Sequence, residues 1–432
     1  MTKVVVVGGG FAGCAAAISA RKAGADVALV ERLDELLGTG LAGGVMRNNA
    51  RFTATEEALA MGGGGLVFEL IDSVSPHVNV SGFPGHAHPS FYYRMQAEPV
   101  VRRAVLELGI EVYLEARMTD VVMDGGSIRD IKLETGETIA GDVFVDTTGT
   151  SGPMGLCTKH GHGCVMCILR CPTFGGRVSV AAKAGVKEFA GFRDDGTPGA
   201  MTGAFDIHKE SLAPDIAREL TEKGVIVVPL PKEEAEVHGE EQLKLKTCQQ
   251  YALKEFAENL VIVDNGFAKV HTSYMPLESL RRIPGFERAH VVAPLGAGRG
   301  NSIRYLAMAP RDDGLRVTGV DNLLCGGEKA GLFVGHTEAA VTGSLAGHNA
   351  VRLDVGKELL ELPDDTLLGD IISYVNQRMQ TDDGLRTRYT FSGATYFERV
   401  KERGMYTTDV AAIRERVRRQ GLEGVFDQRL VR

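Results

Sequence analysis

Four cysteines fall within one short stretch, Cys157, Cys164, Cys167 and Cys171, spaced C-x6-C-x2-C-x3-C-P with His160 and His162 between them. A C-x2-C step lets two thiolates reach one metal ion from a single turn, and a Cys-Pro step also ends the cysteine run of bacterial iron–sulfur proteins. Here one C-x2-C step of that run is replaced by C-x6-C. Four thiolates suit an iron–sulfur cluster, and two or three with a histidine suit structural zinc. Metal-free redox or catalytic thiols fit the same residues, as do ordinary reduced thiols with Cys171 alone catalytic. Lys159, Arg170 and the two histidines provide positive surroundings that favour thiolate. The spacing predicts that the four sulfur atoms converge on one site next to a cofactor. Cys14 and Cys325 lie in apolar stretches and are expected in the core; Cys248 has no evident partner.

A second constellation opens the chain. Val4–Val7 runs into Gly8-Gly9-Gly10-Phe11-Ala12-Gly13, then an Ala-rich stretch, then Val27–Val30 ending at Glu31 and Arg32. This is the strand, glycine turn, helix, strand, acid order of a dinucleotide-binding unit. Gly8 permits the tight turn, Gly10 lets backbone approach a pyrophosphate, and Gly13 lets helix pack on strand. The N–H groups of Phe11, Ala12 and Gly13 face the anion from the helix N-terminus. Glu31 is placed to hold ribose hydroxyls and to disfavour a 2′-phosphate; an NAD-only protein is the competing reading.

Further along, Asp146-Thr147-Thr148-Gly149-Thr150 brings an apolar strand into a small-residue turn, a second approach to the cofactor through Thr148 and Gly149. Leu323-Leu324-Cys325-Gly326-Gly327-Glu328 and Gly335-His336 precede a small-residue helix whose N-terminus favours negative charge, so Gly327, Glu328, Gly335 and His336 join the cofactor-binding set. Lys329 would stabilise a reduced anionic ring, or form a surface ion pair. Arg47, Asn48, Asn49 and Arg51 lie in a polar loop expected to touch substrate or cofactor. Arg299, Arg304 and Arg311 suit an anionic substrate or a solvated surface. The arginines of the tail, Arg414, Arg416, Arg418 and Arg419, read as an exposed helical face rather than a nucleic-acid surface.

These pieces need an α/β fold: a doubly wound, Rossmann-type FAD-binding domain split by an inserted α+β substrate domain, with a helical C-terminal appendage. The boundaries expected are 1–150 and 261–353 for the two parts of the FAD-binding domain, 151–260 for the insert with the cysteine cluster, and 354–432 for the helical region. With 432 residues, 44% hydrophobic and 24% charged, the chain is long enough for two or three domains. A net charge of −8 offers no global attraction to nucleic acid. No apolar run reaches the roughly 20 residues of a membrane span, and the first apolar stretch is the first strand of the nucleotide fold. A cytoplasmic protein without a membrane partner is expected, with its seven cysteines reduced.

Several segments together resemble the flavoprotein family of glucose-inhibited division protein A and the folate-dependent tRNA uracil methyltransferase TrmFO. They are Gly8–Gly13 with Glu31; Asp146–Thr150; Cys171-Pro172; Glu278–Glu287; Asn322–Asn349; and, in the tail, Asp365–Gly369 and Tyr389–Gly393. The resemblance implies tightly bound FAD, RNA modification with methylenetetrahydrofolate, NAD(P)H as small-molecule reductant, and Cys171 as the thiol candidate. Where TrmFO-like proteins carry a second cysteine, Gly43–Arg51 has none. An iron–sulfur flavoprotein acting on a small molecule or electron carrier is the alternative, and an inert flavin-binding interaction module a third class.

Overall fold

The computed structural model describes residues 2–150, 171–193, 195–197, 200–202, 205–237, 253–271, 275–293, 302–304 and 306–431. Cys157, Cys164, Cys167 and Cys248, and also Arg299, lie outside the described residues.

The frame of the site is a five-stranded sheet. In chain order its parts and main helices are β1 (Lys3–Val7), α1 (Phe11–Lys22), β2 (Asp26–Val30), α2 (Ala50–Ala60), β3 (Glu111–Tyr113), β4 (Val143–Asp146), β5 (Leu323–Cys325) and α3 (His336–Asp354). The strands are all parallel, in the order β5-β4-β1-β2-β3. Val4 to Val7 are buried, as expected of a central parallel strand covered on both faces. The register sets Val7 beside Val30 and Asp146, and Asp146 beside Cys325. Three separate segments therefore end at one edge, where ligands bind in open α/β sheets.

Helices α1 and α3 cross in backbone contact, which explains the small residues of α3. A Cβ on Gly343 would lie 2.1 Å from the Ala12 carbonyl oxygen, and one on Gly347 would lie 2.1 Å from that of Ala16. Ser19 Oγ closes the contact by donating to the Ser344 carbonyl at 2.8 Å.

The second sheet is antiparallel and runs Val225–Pro229, Asn259–Asp264, Ala268–Val270, Phe205–Ile207, Val291–Ala293. It has its own core around Phe205, Ile207, Leu260, Ile262 and Phe286. The strands at 259–264, 268–270 and 291–293 thus pair with the inserted unit, whereas the sequence places the return to the cofactor domain at 261. The chain rejoins the first sheet at Leu323. A buried apolar strand has the same sequence pattern in either sheet, so only its hydrogen-bond partners distinguish them.

The C-terminal region is helical, with Leu367–Arg378, Ala394–Glu402 and Val410–Arg419, and it packs against the main core. Val375, Tyr389, Phe391 and Tyr396 are buried in the main core. Arg416 pairs with the buried Glu57 of α2 at 2.8 Å. Among the described residues no helix is long and apolar enough to cross a membrane.

Candidate cofactor site

The glycine turn is built as its sequence demands. Gly8 has φ +105°, and a Cβ there would sit 2.4 Å from the Thr147 carbonyl oxygen. A Cβ on Gly13 would lie 1.7 Å from the Gly8 carbonyl oxygen, so only glycine lets α1 approach β1. Gly10 is different. A Cβ there would meet nothing within 4 Å, so the turn faces open space in front of the α1 N-terminus, which has no side-chain cap.

Glu31 closes one end. Its carboxylate is buried and accepts hydrogen bonds from the backbone N–H of Gly9 at 2.6 Å and of Leu33 at 2.9 Å. Burial pushes its pKa above the ordinary carboxylate value, and these donors together with Arg32 oppose the shift. Glu31 lines a cleft with Gly8, Arg32, Arg117, Thr148 and Arg177. Thr148 is oriented by Asp146, whose Oδ1 accepts from its N–H at 3.1 Å and its hydroxyl at 2.7 Å. Gly149 follows with φ +70°.

Cys171 begins the short helix Cys171–Phe174. The loop after it is held by Arg32, which donates to the Gly175 carbonyl at 3.0 Å, and by Arg117, which donates to that of Gly176 at 2.9 Å. The segment of Cys171 therefore docks beside Arg32. Among the described residues no group of three or more His, Cys, Asp or Glu is arranged to hold a metal.

The other edge of the site is formed by the turn Gly327–Ala330 and the α3 N-terminus. Gly327 has φ +66°, and a Cβ there would press on that of Ala12 at 2.9 Å. Glu328 accepts a hydrogen bond from the Thr150 hydroxyl, joining the two small-residue turns. Lys329 turns inward, fully buried, and pairs with Glu188; its charge is balanced inside the fold, and burial lowers its pKa. His336 stacks on Phe11 with ring centroids 4.6 Å apart, and its Nδ1 lies 3.4 Å from the Tyr92 hydroxyl.

Beyond His336 the polar loop has distinct parts. Arg47 is locked against Asp72 and Glu56, with contacts of 2.5 and 2.6 Å. Asn49, at φ +53°, donates to the carbonyls of Gly85 and Ser392 and accepts from Ala87 N–H, so it pins three segments together. Arg51 is buried, paired with Glu338 at 3.3 Å and bonded to Thr390 Oγ1 at 2.9 Å. Asn48 is buried with its Nδ2 lacking a hydrogen-bond partner among the described residues. Of the three loop residues expected at substrate, Arg47 and Asn49 are saturated by the fold and Asn48 keeps a free donor. Glu338 and Thr390 carry no local sequence signal, because their partner Arg51 lies 287 and 339 residues away.

These features fit FAD. The open face at Gly10, the uncapped α1 N-terminus, the Glu31 carboxylate and the free donor of Asn48 are what a dinucleotide with a ring system at its far end requires. Glu31, Arg32, Gly8 and Thr148 would hold the adenosine side, and Gly10 with α1 the pyrophosphate.

Comparison with known proteins agrees. The model of the family "FAD dependent oxidoreductase" matches residues 3–153, and that of "Glucose inhibited division protein A" matches residues 242–358. The tRNA uridine 5-carboxymethylaminomethyl modification enzyme MnmG of Chlorobaculum tepidum is 34% identical over 116 residues, covering 25% of this chain and 18% of its own length. The methylenetetrahydrofolate–tRNA-(uracil-5-)-methyltransferase TrmFO of an Exiguobacterium species is 33% identical over 96 residues, covering 22% of this chain and 21% of its own. The alignments thus span about a fifth of these relatives. The fold of Aquifex aeolicus GidA superposes with a TM-score of 0.62 over 96% of this chain and 78% of that one, at 14% identity. The chain is thus similar to FAD-dependent oxidoreductases over residues 3–153 and to glucose-inhibited division protein A over residues 242–358, and it shares the fold of GidA.

Proposed function

We propose that the protein is a flavoenzyme that modifies uracil in RNA, drawing a one-carbon unit from methylenetetrahydrofolate. The observation that carries this reading is the convergence of the Gly8–Gly13 turn, Glu31, the Thr148 turn and the turn before α3 at one end of the parallel sheet, in a chain whose curated relatives are named for tRNA uridine and uracil modification. Methylation by this donor needs two electrons besides the methylene carbon, and FAD, reduced by NAD(P)H, supplies them when bound.

The chain's own residues do the positioning. Glu31 takes the ribose hydroxyls, and the α1 N-terminus faces the pyrophosphate. Asn48 Nδ2 offers a hydrogen bond next to the Arg51–Glu338 pair. Phe11 and Tyr92 fix His336 at the start of α3, whose N-terminal dipole favours negative charge on a reduced ring.

The test is incubation of the flavin-loaded protein with unmodified tRNA and ribosomal RNA, labelled methylenetetrahydrofolate and NAD(P)H. Label on uracil C5 is expected. Flavin that turns over with NAD(P)H while no RNA gains label would overturn the assignment.

A further inference from the structure

Arg177 is the residue that no motif announces. It follows Gly175 and Gly176, lines the same cleft as Gly8 and Glu31, and is 8% exposed. Its Nε and Nη1 have no hydrogen-bond partner among the described residues. Three carboxylates, Glu188, Asp146 and Glu328, surround its charge electrostatically, yet those nitrogens remain unbonded. Buried guanidinium donors are costly to leave unsatisfied. Asp146 is committed elsewhere, holding Thr148 and the Ala181 N–H at 3.0 Å, and Glu188 holds Ser179 and Lys329. The free donors therefore serve something that enters the cleft.

The cleft indicates what that is. Its lining combines the Glu31 carboxylate, an acceptor, with the positive charges of Arg32, Arg117 and Arg177. A ligand bearing neighbouring hydroxyls together with anionic oxygens satisfies both, and the planar guanidinium fork matches phosphate oxygens. Resting on the FAD reading above, we propose that Arg177 binds the AMP half of the dinucleotide, donating from Nε and Nη1 to its acceptor atoms. The chain thereby selects FAD over FMN at a residue outside the glycine turn. Arg177 also ties this selection to the β4 end, because Asp146 both faces it and orients Thr148.

Flavin is stripped from the full-length protein, which is titrated calorimetrically with FAD, ADP and FMN. For Arg177→Met, at least tenfold weaker binding of FAD and ADP is expected, with FMN affinity unchanged from wild type; Arg177→Lys recovers part of the loss. A melting scan of the stripped variants separates binding from folding, and Arg177→Lys keeps the charge if Arg177→Met does not fold. FAD and ADP affinities of a folded Arg177→Met, or of Arg177→Lys in its absence, within twofold of wild type would overturn the assignment of Arg177 alone. Equal losses for FMN and ADP would assign the residue to structure instead. Wild-type protein that binds neither FAD nor ADP would overturn the FAD reading itself.

Discussion

The carboxylate of Glu31 accepts a hydrogen bond from the backbone N–H of Gly9 at 2.6 Å. One side chain thus braces the glycine turn and, in the function proposed, has lone pairs left for a ribose. Burial opposes its charge, so Glu31 is held at some expense to the ligand-free fold.

Replacing Glu31 with Gln removes the charge and keeps the shape. Hydrogen bonds to charged groups contribute about 1.5–3 kcal/mol, so FAD should bind one to two orders of magnitude more weakly. The amide nitrogen of Gln must face the N–H of Gly9 or of Leu33, both of which donate to the carboxylate, so the melting temperature of the flavin-free variant should fall below that of wild type. Flavin titration and a thermal melt check both parts; unchanged affinity contradicts the role given to Glu31.

Gly343→Ala separates packing from propensity. Alanine in an unhindered helix adds about 1 kcal/mol over glycine, whereas here the new Cβ would meet the Ala12 carbonyl oxygen at 2.1 Å. Overpacking of this kind costs about 1–3 kcal/mol. A lowered denaturation midpoint with faster flavin loss is expected. A raised midpoint would show that α1 and α3 are not in backbone contact.

Glu57 carries the clearest pH signature. It is fully buried, and burial lifts its carboxyl from an ordinary 4.5 to about 7, despite Arg416 and the N–H groups of Leu367 and Leu368. A carboxyl with a raised folded pKa contributes stability at low pH that is lost as pH climbs from about 4.5 through about 7, roughly 3 kcal/mol across the window. Melting temperatures of Glu57→Gln and wild type, measured from pH 4.5 to 8, should converge toward the acid end and separate toward the alkaline end. Parallel curves would contradict the shift.

Asp264 ties the second sheet to the cofactor domain with the opposite sign. It accepts from His77 Nε2 at 3.1 Å, Lys209 Nζ at 2.9 Å, the Tyr93 hydroxyl at 3.2 Å and Gly266 N–H at 3.0 Å. Although burial acts to raise its pKa, the bonds from His77 and Lys209 outweigh it and hold the carboxyl below its ordinary value. Its stabilisation is present above the unfolded carboxylate pKa and disappears as pH falls through the depressed folded value. Asp264→Ala leaves a largely buried lysine without its partner, with an expected loss of about 3–5 kcal/mol in urea unfolding near pH 7. A loss below 1 kcal/mol would show that the bridge is unimportant.

What the sequence revealed follows from range. The glycine turn was legible because two of its glycines answer a neighbour within the fold motif: Gly13 packs on Gly8, and Gly8 on Thr147 in the second small-residue turn. The return to the first sheet was not. Asn259–Asp264 is buried along nearly its whole length, and such a strand reads alike whether its partners are parallel or antiparallel. Arg51 was visible as a polar loop residue, but its pairing with Glu338 depends on the fold bringing α2 to α3. Arg177 was invisible because its distinguishing property is an unsatisfied donor, which has no sequence pattern.

The most direct measurement is the absorption spectrum of the purified protein, followed by chromatography of whatever denaturation releases. A flavin band, with FAD as the released species at close to one per chain, is the expected result. A colourless protein that takes up no FAD from solution, or one that releases FMN, would contradict the assignment of the cleft from Glu31 to α3.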